Sequence, residues 1–360
     1  MKFSLKKKVL AAALALSFGV FAFAGGEAAT RQEIASVNIK ANGSNFKYWS
    51  KDAKALAALK DYMNEITDKN NRNFIPKEDR IAVFDMDGTI LCETAPIYFD
   101  HSLFLRRVYE DPAFKANDEQ MKVAKNMEAS IKKIGVPYPS SNNAKVACSA
   151  FTGMTMDEFN RYVKDFMEYP TTGLTNLKWG EAFYLPMVEI ISYLAHNDFK
   201  VYIVSGTERE IARNIILGAF PDIKTNQIIG TDIEYLAGNQ GSEQPLKYIY
   251  QKNDTILRGQ FVIKDLQMNK TSAIVREIGK QPVLAFGNAM SDASMLNYSI
   301  FNNKYKALAF GVICDDETRE FGNSKRAKEM LDGCVKHNWL PISMKNDFKT
   351  IYGDNVKVAR

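Results

Sequence analysis

Histidine and cysteine are scarce in this sequence. Three histidines and four cysteines are spread over 360 residues, and no Cys-x-x-Cys pair occurs. The histidines stand far apart in the chain, at positions 101, 196 and 337. Zinc sites and Ser-His-Asp triads need such side chains in sets. Both kinds of site are therefore disfavoured.

The four cysteines also leave the disulfide state open. Cys92, Cys148, Cys314 and Cys334 permit three pairings in an oxidising compartment. The pair we favour is Cys314 with Cys334, because both fall in one C-terminal segment. Buried free thiols are an equally good interpretation, since a domain of this length does not depend on disulfides.

The sequence has one long apolar run, and it lies at the N-terminus. Four lysines among the first eight residues precede the run from Val9 to Phe23, which ends in Ala22-Phe23-Ala24. This layout is typical of a secretory signal peptide, residues 1–24, cleaved after Ala24. The run is shorter than the ~20 residues that span a bilayer, which disfavours a stable membrane anchor. We therefore expect a protein exported to the periplasm or the medium.

Without the predicted signal peptide, the chain has little net charge. The formal charge of +5 includes its four lysines, and residues 1–24 hold no acidic residue, so the mature chain carries about +1. A balance so close to neutral gives no reason to expect a nucleic acid partner. An apolar content of 46% fits a globular enzyme or binding protein. The oligomeric state is left open.

Short apolar runs, each stopped by polar residues or glycine, predict buried parallel strands. They are residues 81–84, 201–204, 283–286 and 307–310. Helical patterns alternate with them, at residues 53–66, 187–194 and 271–278, and Ser50 is a candidate cap for the first. The alternation predicts an α/β fold built on an open parallel sheet.

The spacing of these runs predicts two insertions. More than a hundred residues separate the first two runs, and they include helical patterns at 118–133 and 156–168. We expect residues 25–95 to hold an N-terminal helix and the start of the core, and residues 96–180 to form a mostly helical cap. Residues 181–360 would complete the core, with a small β insertion near 226–263, where the pattern alternates.

Two aspartates follow the first predicted strand. Asp85 and Asp87 lie two residues apart, and Gly88 allows the chain to turn so that both face one cavity. Two ionised carboxylates so close repel each other, so one is protonated or a cation lies between them. Either state suits a carboxylate nucleophile beside an acid and a divalent ion. A calcium loop is disfavoured, because Pro96 stands where such a loop needs glutamate.

The segment Phe84-Asp85-Met86-Asp87-Gly88-Thr89 resembles motif one of the haloacid dehalogenase superfamily, in its phosphatase form. The segment Val204-Ser205-Gly206-Thr207 resembles motif two, in which a hydroxyl and helix-start amides would hold phosphate oxygens. Lys270, at a predicted helix start, resembles the lysine of motif three. We prefer it to Lys264 because a helical pattern follows it directly.

Motif four is similar to Gly287-Asn288-Ala289-Met290-Ser291-Asp292. Asn288 stands where the superfamily commonly has an acid, and a hard cation also accepts an amide oxygen. Segments at 186–189, 285–288 and 343–347 resemble exported phosphatases related to phosphoserine phosphatase. The resemblance implies a Rossmann-like core and a Mg²⁺ ion bound by Asp85, Asp87, Asn288 and Asp292.

The resemblance also implies the roles of the site residues. Asp85 would attack phosphorus, Asp87 would act as general acid and base, and Lys270 and Ser205 would balance charge. Phosphate would contact Thr89, Gly206 and Thr207. The substrate would be a small phosphorylated metabolite. Two alternatives stay open: a phosphotransferase or mutase, and a non-catalytic metal- or ligand-binding protein of the same fold.

Side chains near the joints of the predicted cap are candidates for substrate contacts. The aromatic ones are Tyr98, Phe99, Trp179, Phe183 and Tyr184. Aromatic residues at such joints can also be hinge packing, which is the commoner role. Glu93 would orient water on the metal, or act as an acid at a helix start.

Overall fold

The computed structural model describes residues 28–132 and 141–359. The predicted signal peptide lies outside these residues, so export stays a prediction. Across the described ranges, no helix combines the length and apolar character needed to cross a membrane.

A seven-stranded sheet forms the centre of the molecule. Its strands are β1 (Ile81–Phe84), β2 (Lys200–Glu208), β3 (Ile228–Ala237), β4 (Ile256–Ile263), β5 (Leu284–Gly287), β6 (Leu308–Ile313) and β7 (Leu340–Ser343). Their order is β4-β3-β2-β1-β5-β6-β7, and all neighbours are parallel except β3 and β4. The sheet confirms the α/β fold class. All four predicted strands are present, within a few residues of the expected ends.

The central strands are apolar on both faces because helices cover both. On one face, Phe84, Phe286 and Phe310 occupy paired positions on β1, β5 and β6. Their rings stack at centroid distances of 4.2 and 4.7 Å. Val83 and Ala285 alternate with them and belong to the core on the opposite face.

Helices flank the sheet and fill the long connection after β1. They are α1 (Arg31–Ala35), α2 (Lys54–Thr67), α3 (Phe99–Tyr109), α4 (Asp118–Lys132), α5 (Ser141–Ser149), α6 (Met156–Met167), α7 (Leu185–Ala195), α8 (Arg209–Ile216), α9 (Met268–Ala273), α10 (Ala293–Ile300), α11 (Ser324–His337) and α12 (Met344–Asp347). The helices expected at 118–133 and 156–168 correspond to α4 and α6. We call α3 to α6 the helical insertion, and β3 with β4 lie in the predicted β insertion.

Some sequence-based expectations were wrong or incomplete. Helix α2 begins after Ala53 with no side-chain cap at that position, so Ser50 is not its cap. The Cys314–Cys334 disulfide is absent, because all four cysteines are buried free thiols. The Cys314 thiol instead donates a hydrogen bond to the carbonyl of Asn323 at 3.7 Å. Strand β7 was not predicted, because Pro341 interrupts its apolar run.

Candidate active site

The loop after β1 places two carboxyl groups at the edge of the sheet. The amide of Asp85 still donates to the carbonyl of Phe286 at 2.9 Å, so the pairing of β1 with β5 continues one residue beyond the strand. Gly88 then turns the chain with φ of +82°. A Cβ atom at Gly88 would lie 1.9 Å from Nδ2 of Asn288. Glycine therefore allows the loop after β5 to approach the two aspartates.

Lys270 connects Asp85 to the loop after β5. Its Nζ donates to Oδ1 of Asp85 at 2.5 Å and to Oδ1 of Asp292 at 2.8 Å. The lysine side chain is completely buried, on α9. Thr89 donates its hydroxyl to the other oxygen of Asp85, Oδ2, at 3.2 Å. Asp85 is thus held by a cation on one oxygen and a hydroxyl on the other.

Burial and charge act against each other at this pair. Burial raises the pKa of Asp85 and Asp292 adds to that rise; Lys270 opposes it by attracting the carboxylate, and the resulting pKa is about 7. Burial alone would lower the pKa of Lys270, but Asp292 and Asp85 raise it above its ordinary value. The lysine therefore stays charged and favours the ionised form of Asp85.

Asp87 lies in a different environment. Its Oδ2 accepts a hydrogen bond from the hydroxyl of Thr207 at 2.7 Å and lies 3.5 Å from that of Ser205. Its Oδ1 is buried and has no hydrogen-bond partner in the described part of the chain. Burial raises the pKa of Asp87 well above its usual range, and repulsion by Asp85 adds to the rise. A protonated Asp87 can donate a proton to a group bound beside Asp85.

The predicted phosphate-binding residues differ in their access to the cavity. Gly206 and Thr207, at the end of β2, line it. Ser205 is fully buried, and its Oγ accepts a hydrogen bond from the amide of Thr207 at 3.0 Å. Thr89 is also fully buried, beneath Asp85. The structure therefore exposes Gly206 and Thr207 to a ligand, and Ser205 and Thr89 support the two aspartates.

Asp292 supports the loop that carries Asn288. Its Oδ1 faces Lys270, and its Oδ2 accepts from the amides of Asn288 and Ala289, both at 3.1 Å. Both oxygens of Asp292 are thus already engaged. Accordingly, no three His, Cys, Asp or Glu side chains within the described ranges form a group that could hold a metal ion.

The remaining donors nevertheless fit a hard cation. Asp85, Asp87 and Asn288 line one cavity, and Oδ1 of Asp87 and Nδ2 of Asn288 are buried atoms without a partner among the described residues. Half a turn of the Asn288 amide would present its oxygen instead. Mg²⁺ characteristically takes one or two carboxylates and completes its shell with water and phosphate oxygens. These three side chains are suited to hold it.

The cavity in front of the aspartates has a volume of about 380 Å³ and a charged outer wall. On this wall Glu93 accepts a hydrogen bond from the hydroxyl of Tyr98 at 2.8 Å and a second from the guanidinium of Arg326. Glu93 lies before α3 and is buried, so it is neither a solvated acid nor at a helix start. Arg326 was not predicted, because the start of α11 has the sequence of a solvated helix.

A second residue that sequence reasoning missed lies just before α9. Gln267 lines the cavity and has φ of +55° and ψ of −128°, a conformation that is costly for a side chain other than glycine. Its amide donates to the carbonyl of Ser291 at 2.9 Å, which ties the start of α9 to the loop after β5. No pattern in the sequence marks this position.

Of the aromatic candidates, Tyr98 lines the cavity. The other four are packed in the interior. Phe99 contacts Trp179 edge to face at 5.7 Å, and Phe183 meets Phe220 in the same way at 5.2 Å. Tyr184 lies against Tyr352 at 5.6 Å. Hinge packing therefore accounts for these four.

The fold and this edge of the sheet define an α/β enzyme whose site is built on aspartates and a lysine. The chain belongs to the haloacid dehalogenase-like hydrolase family, whose model matches residues 82–297. The resemblance seen in the sequence is thereby confirmed, and the protein is a hydrolase of this family. No curated protein matches the sequence.

Three solved structures are similar to this chain. A conserved functionally unknown protein from Anaerococcus prevotii has 13% identity and a TM-score of 0.49, with 86% of this chain and 98% of that one covered. Cytosolic 5'-nucleotidase IIIB bound to cytidine has 11% identity and a TM-score of 0.42, with 79% and 93% covered. A phosphoserine phosphohydrolase-like protein from Francisella tularensis has 13% identity and a TM-score of 0.36, with 66% and 89% covered.

Proposed function

We propose that this protein hydrolyses small phosphomonoesters by transferring the phosphoryl group first to Asp85 and then to water. The observation that carries the proposal is the difference between its two neighbouring carboxyl groups. Lys270 lies 2.5 Å from Asp85 and opposes the rise of its pKa, which is about 7, whereas the pKa of Asp87, buried against Thr207, is raised well above its usual range. One group is suited to attack and the other to donate a proton.

In the first step, a carboxylate oxygen of Asp85 forms a bond to phosphorus. The bond between phosphorus and the ester oxygen breaks, and that oxygen takes the proton of Asp87. The leaving alcohol departs neutral, and an aspartyl phosphate remains. Lys270 offsets negative charge during this transfer, and Gly206 and Thr207, which line the cavity, would contact the phosphoryl oxygens.

In the second step, Asp87 accepts a proton from water while the water oxygen bonds to phosphorus. The acyl phosphate bond breaks, inorganic phosphate forms, and Asp85 regains its carboxylate. A Mg²⁺ ion held by Asp85, Asp87 and Asn288 would supply positive charge that neutralises the phosphoryl oxygens. The helical insertion would act as the cap that limits access of water.

Hydrolysis of 4-nitrophenyl phosphate tests the proposal. We expect activity with Mg²⁺, loss of activity with EDTA, and a loss of about a thousandfold or more in Asp85→Asn, because the amide cannot form the phosphoryl bond. Asp354→Asn, on an exposed aspartate far along the chain, is the matched control and should keep full activity. Full activity of Asp85→Asn would overturn the covalent route, and an inactive native protein on a broad phosphomonoester panel would overturn the function.

A further inference from the structure

The outer wall of the active-site cavity carries charged side chains that the proposed chemistry does not use. They are Glu93, Lys264, Arg326 and Glu329. Glu93 and Arg326 form an ion pair and neutralise each other. The side chain of Glu329 is 55% exposed, so water solvates its charge.

Lys264 has no such partner. No carboxylate of the described residues lies within 4.0 Å of its ammonium group, although the residue is half-buried. Its backbone is firmly held, because its carbonyl accepts from the amide of Leu266 at 3.0 Å and from Nδ2 of Asn269 at 2.8 Å. A half-buried ammonium group on a cavity wall, with no carboxylate of the described residues within 4.0 Å, is suited to bind an anion.

Lys264 lies on the side of the cavity that faces the helical insertion. It follows β4 directly, and it also lines a small second cavity together with Asp100 of α3 and Cys148 of α5. Burial lowers the pKa of the His101 imidazole on α3; Asp100 opposes this shift and the charge of Lys264 adds to it. Lys270, by contrast, is fully buried against Asp85 and does not line the cavity. Lys264 is therefore the lysine on the cavity wall that a ligand can reach.

We propose that Lys264 binds a second anionic group of the substrate, so that the enzyme favours phosphomonoesters that also carry a carboxylate or a similar anion. This inference rests on the proposed phosphatase function. With the phosphoryl group at Asp85, a cavity of about 380 Å³ has room for a small organic body that reaches toward the helical insertion. The anion would replace the water that solvates the ammonium.

Two substrates that differ by one charge test the proposal. They are phenyl phosphate and 4-carboxyphenyl phosphate, and the quantity measured is the ratio of their kcat/KM values in one enzyme preparation. Misfolded protein lowers both values equally and cancels in the ratio. Comparing the ratio between variants also cancels the intrinsic difference in reactivity between the two esters.

We expect Lys264→Met to lower the ratio of the carboxylated to the plain substrate about tenfold, the usual worth of a hydrogen bond to a charged group. Lys264→Arg should keep the ratio within about threefold, because it keeps the charge. Lys252→Met, on an exposed lysine of the β insertion, is the matched control and should leave the ratio unchanged.

An unchanged ratio in Lys264→Met would overturn the inference and leave the phosphatase function standing. An equal loss on both substrates would also overturn it, because Lys264 would then act on the phosphoryl group or on the fold. If the native protein hydrolyses neither ester, both the function and this inference fail.

Discussion

The two carboxyl oxygens of Asp87 have different surroundings. Oδ2 accepts the Thr207 hydroxyl at 2.7 Å, whereas Oδ1 has no partner among the described residues. Burial and repulsion by Asp85 raise the pKa of Asp87 well above its usual range, which favours its protonated form. In that form Asp87 can act as the proposed general acid.

If Asp87 is the general acid, its replacement should slow the hydrolysis of esters with poor leaving groups most. Asp87→Asn should lower kcat/KM for ethyl phosphate by about 10² to 10⁴, the usual contribution of general acid catalysis. The loss for 4-nitrophenyl phosphate should be at least about tenfold smaller, because nitrophenolate departs without a proton. Steady-state kinetics on both esters measures this. Asp85→Asn is the control and should reduce kcat/KM for both esters by the same factor. If Asp87→Asn also reduced both values by the same factor, Asp87 would not be the general acid.

If Asn288 is a metal ligand, substitutions at this position should change the affinity for Mg²⁺. Asn288→Asp adds a negative charge to the oxygen ligands and should raise Mg²⁺ affinity, whereas Asn288→Ala removes a ligand and should lower it. The readout is the rise of Tm with Mg²⁺ concentration, which follows ligand affinity and does not require activity. If Tm rises equally with Mg²⁺ in the native protein, Asn288→Asp and Asn288→Ala, then Asn288 does not contact the metal.

At the scale of elements, a buried ion pair ties the helical insertion to the core. Arg258 of β4 donates two hydrogen bonds of 2.6 Å to Glu208, at the end of β2, and their side chains are 0% and 5% exposed. The guanidinium carbon of Arg258 lies 3.5 Å from the ring centroid of Phe159 on α6. Glu208 directly follows Thr207, so this pair also fixes the strand end that contacts Asp87.

Replacing Arg258 should leave the buried carboxylate of Glu208 without its ion-pair partner. We expect Arg258→Met to lower the free energy of unfolding by about 3 to 5 kcal/mol, and Glu208→Gln in the same chain to restore part of it. Urea unfolding measures both values. Lys328→Met is the matched control, because it breaks an exposed ion pair with Asp332 and should cost less than about 1 kcal/mol. A loss for Arg258→Met no larger than that of the control would contradict this account.

The elements were predictable where the sequence pattern is local. Strand β1 matched its apolar run residue for residue, because a strand buried on both faces has no polar positions. Lys270, preferred over Lys264 because a helical pattern follows it directly, donates to Asp85 in the structure. Strand β7 escaped prediction because it contains a proline at the sheet edge, where only one neighbour needs hydrogen bonds.

The walls of the site were not predictable, because they depend on contacts between distant parts of the chain. Arg326 meets Glu93 across 233 positions of sequence, and neither residue lies in a recognisable pattern. The metal ligands illustrate the same limit. Asp292 stands at a predicted ligand position, and in the structure its two oxygens accept hydrogen bonds from Lys270 and the loop amides, so its ligation of a metal stays a prediction. Position in a motif does not specify which oxygen remains available.

At the scale of the whole molecule, both insertions meet the core at the edge where the aspartates lie. The helical insertion contributes Tyr98 next to α3, and the segment after β4 contributes Lys264 and Gln267. The loops after β1 and β5 provide Asp85, Asp87 and Asn288, and the outer wall combines these segments with Arg326 and Glu329 of α11.

Trapping the phosphoryl group on the chain is the measurement that tests the central claim most directly. Native protein and Asp87→Asn are mixed with 4-nitrophenyl phosphate and Mg²⁺, quenched in acid within a turnover, and analysed by peptide mass spectrometry. The account predicts one phosphoryl group on the peptide containing Asp85 and no such adduct in Asp85→Asn. Hydrolysis at the native rate by Asp85→Asn, or a phosphoryl group on another residue, would contradict it.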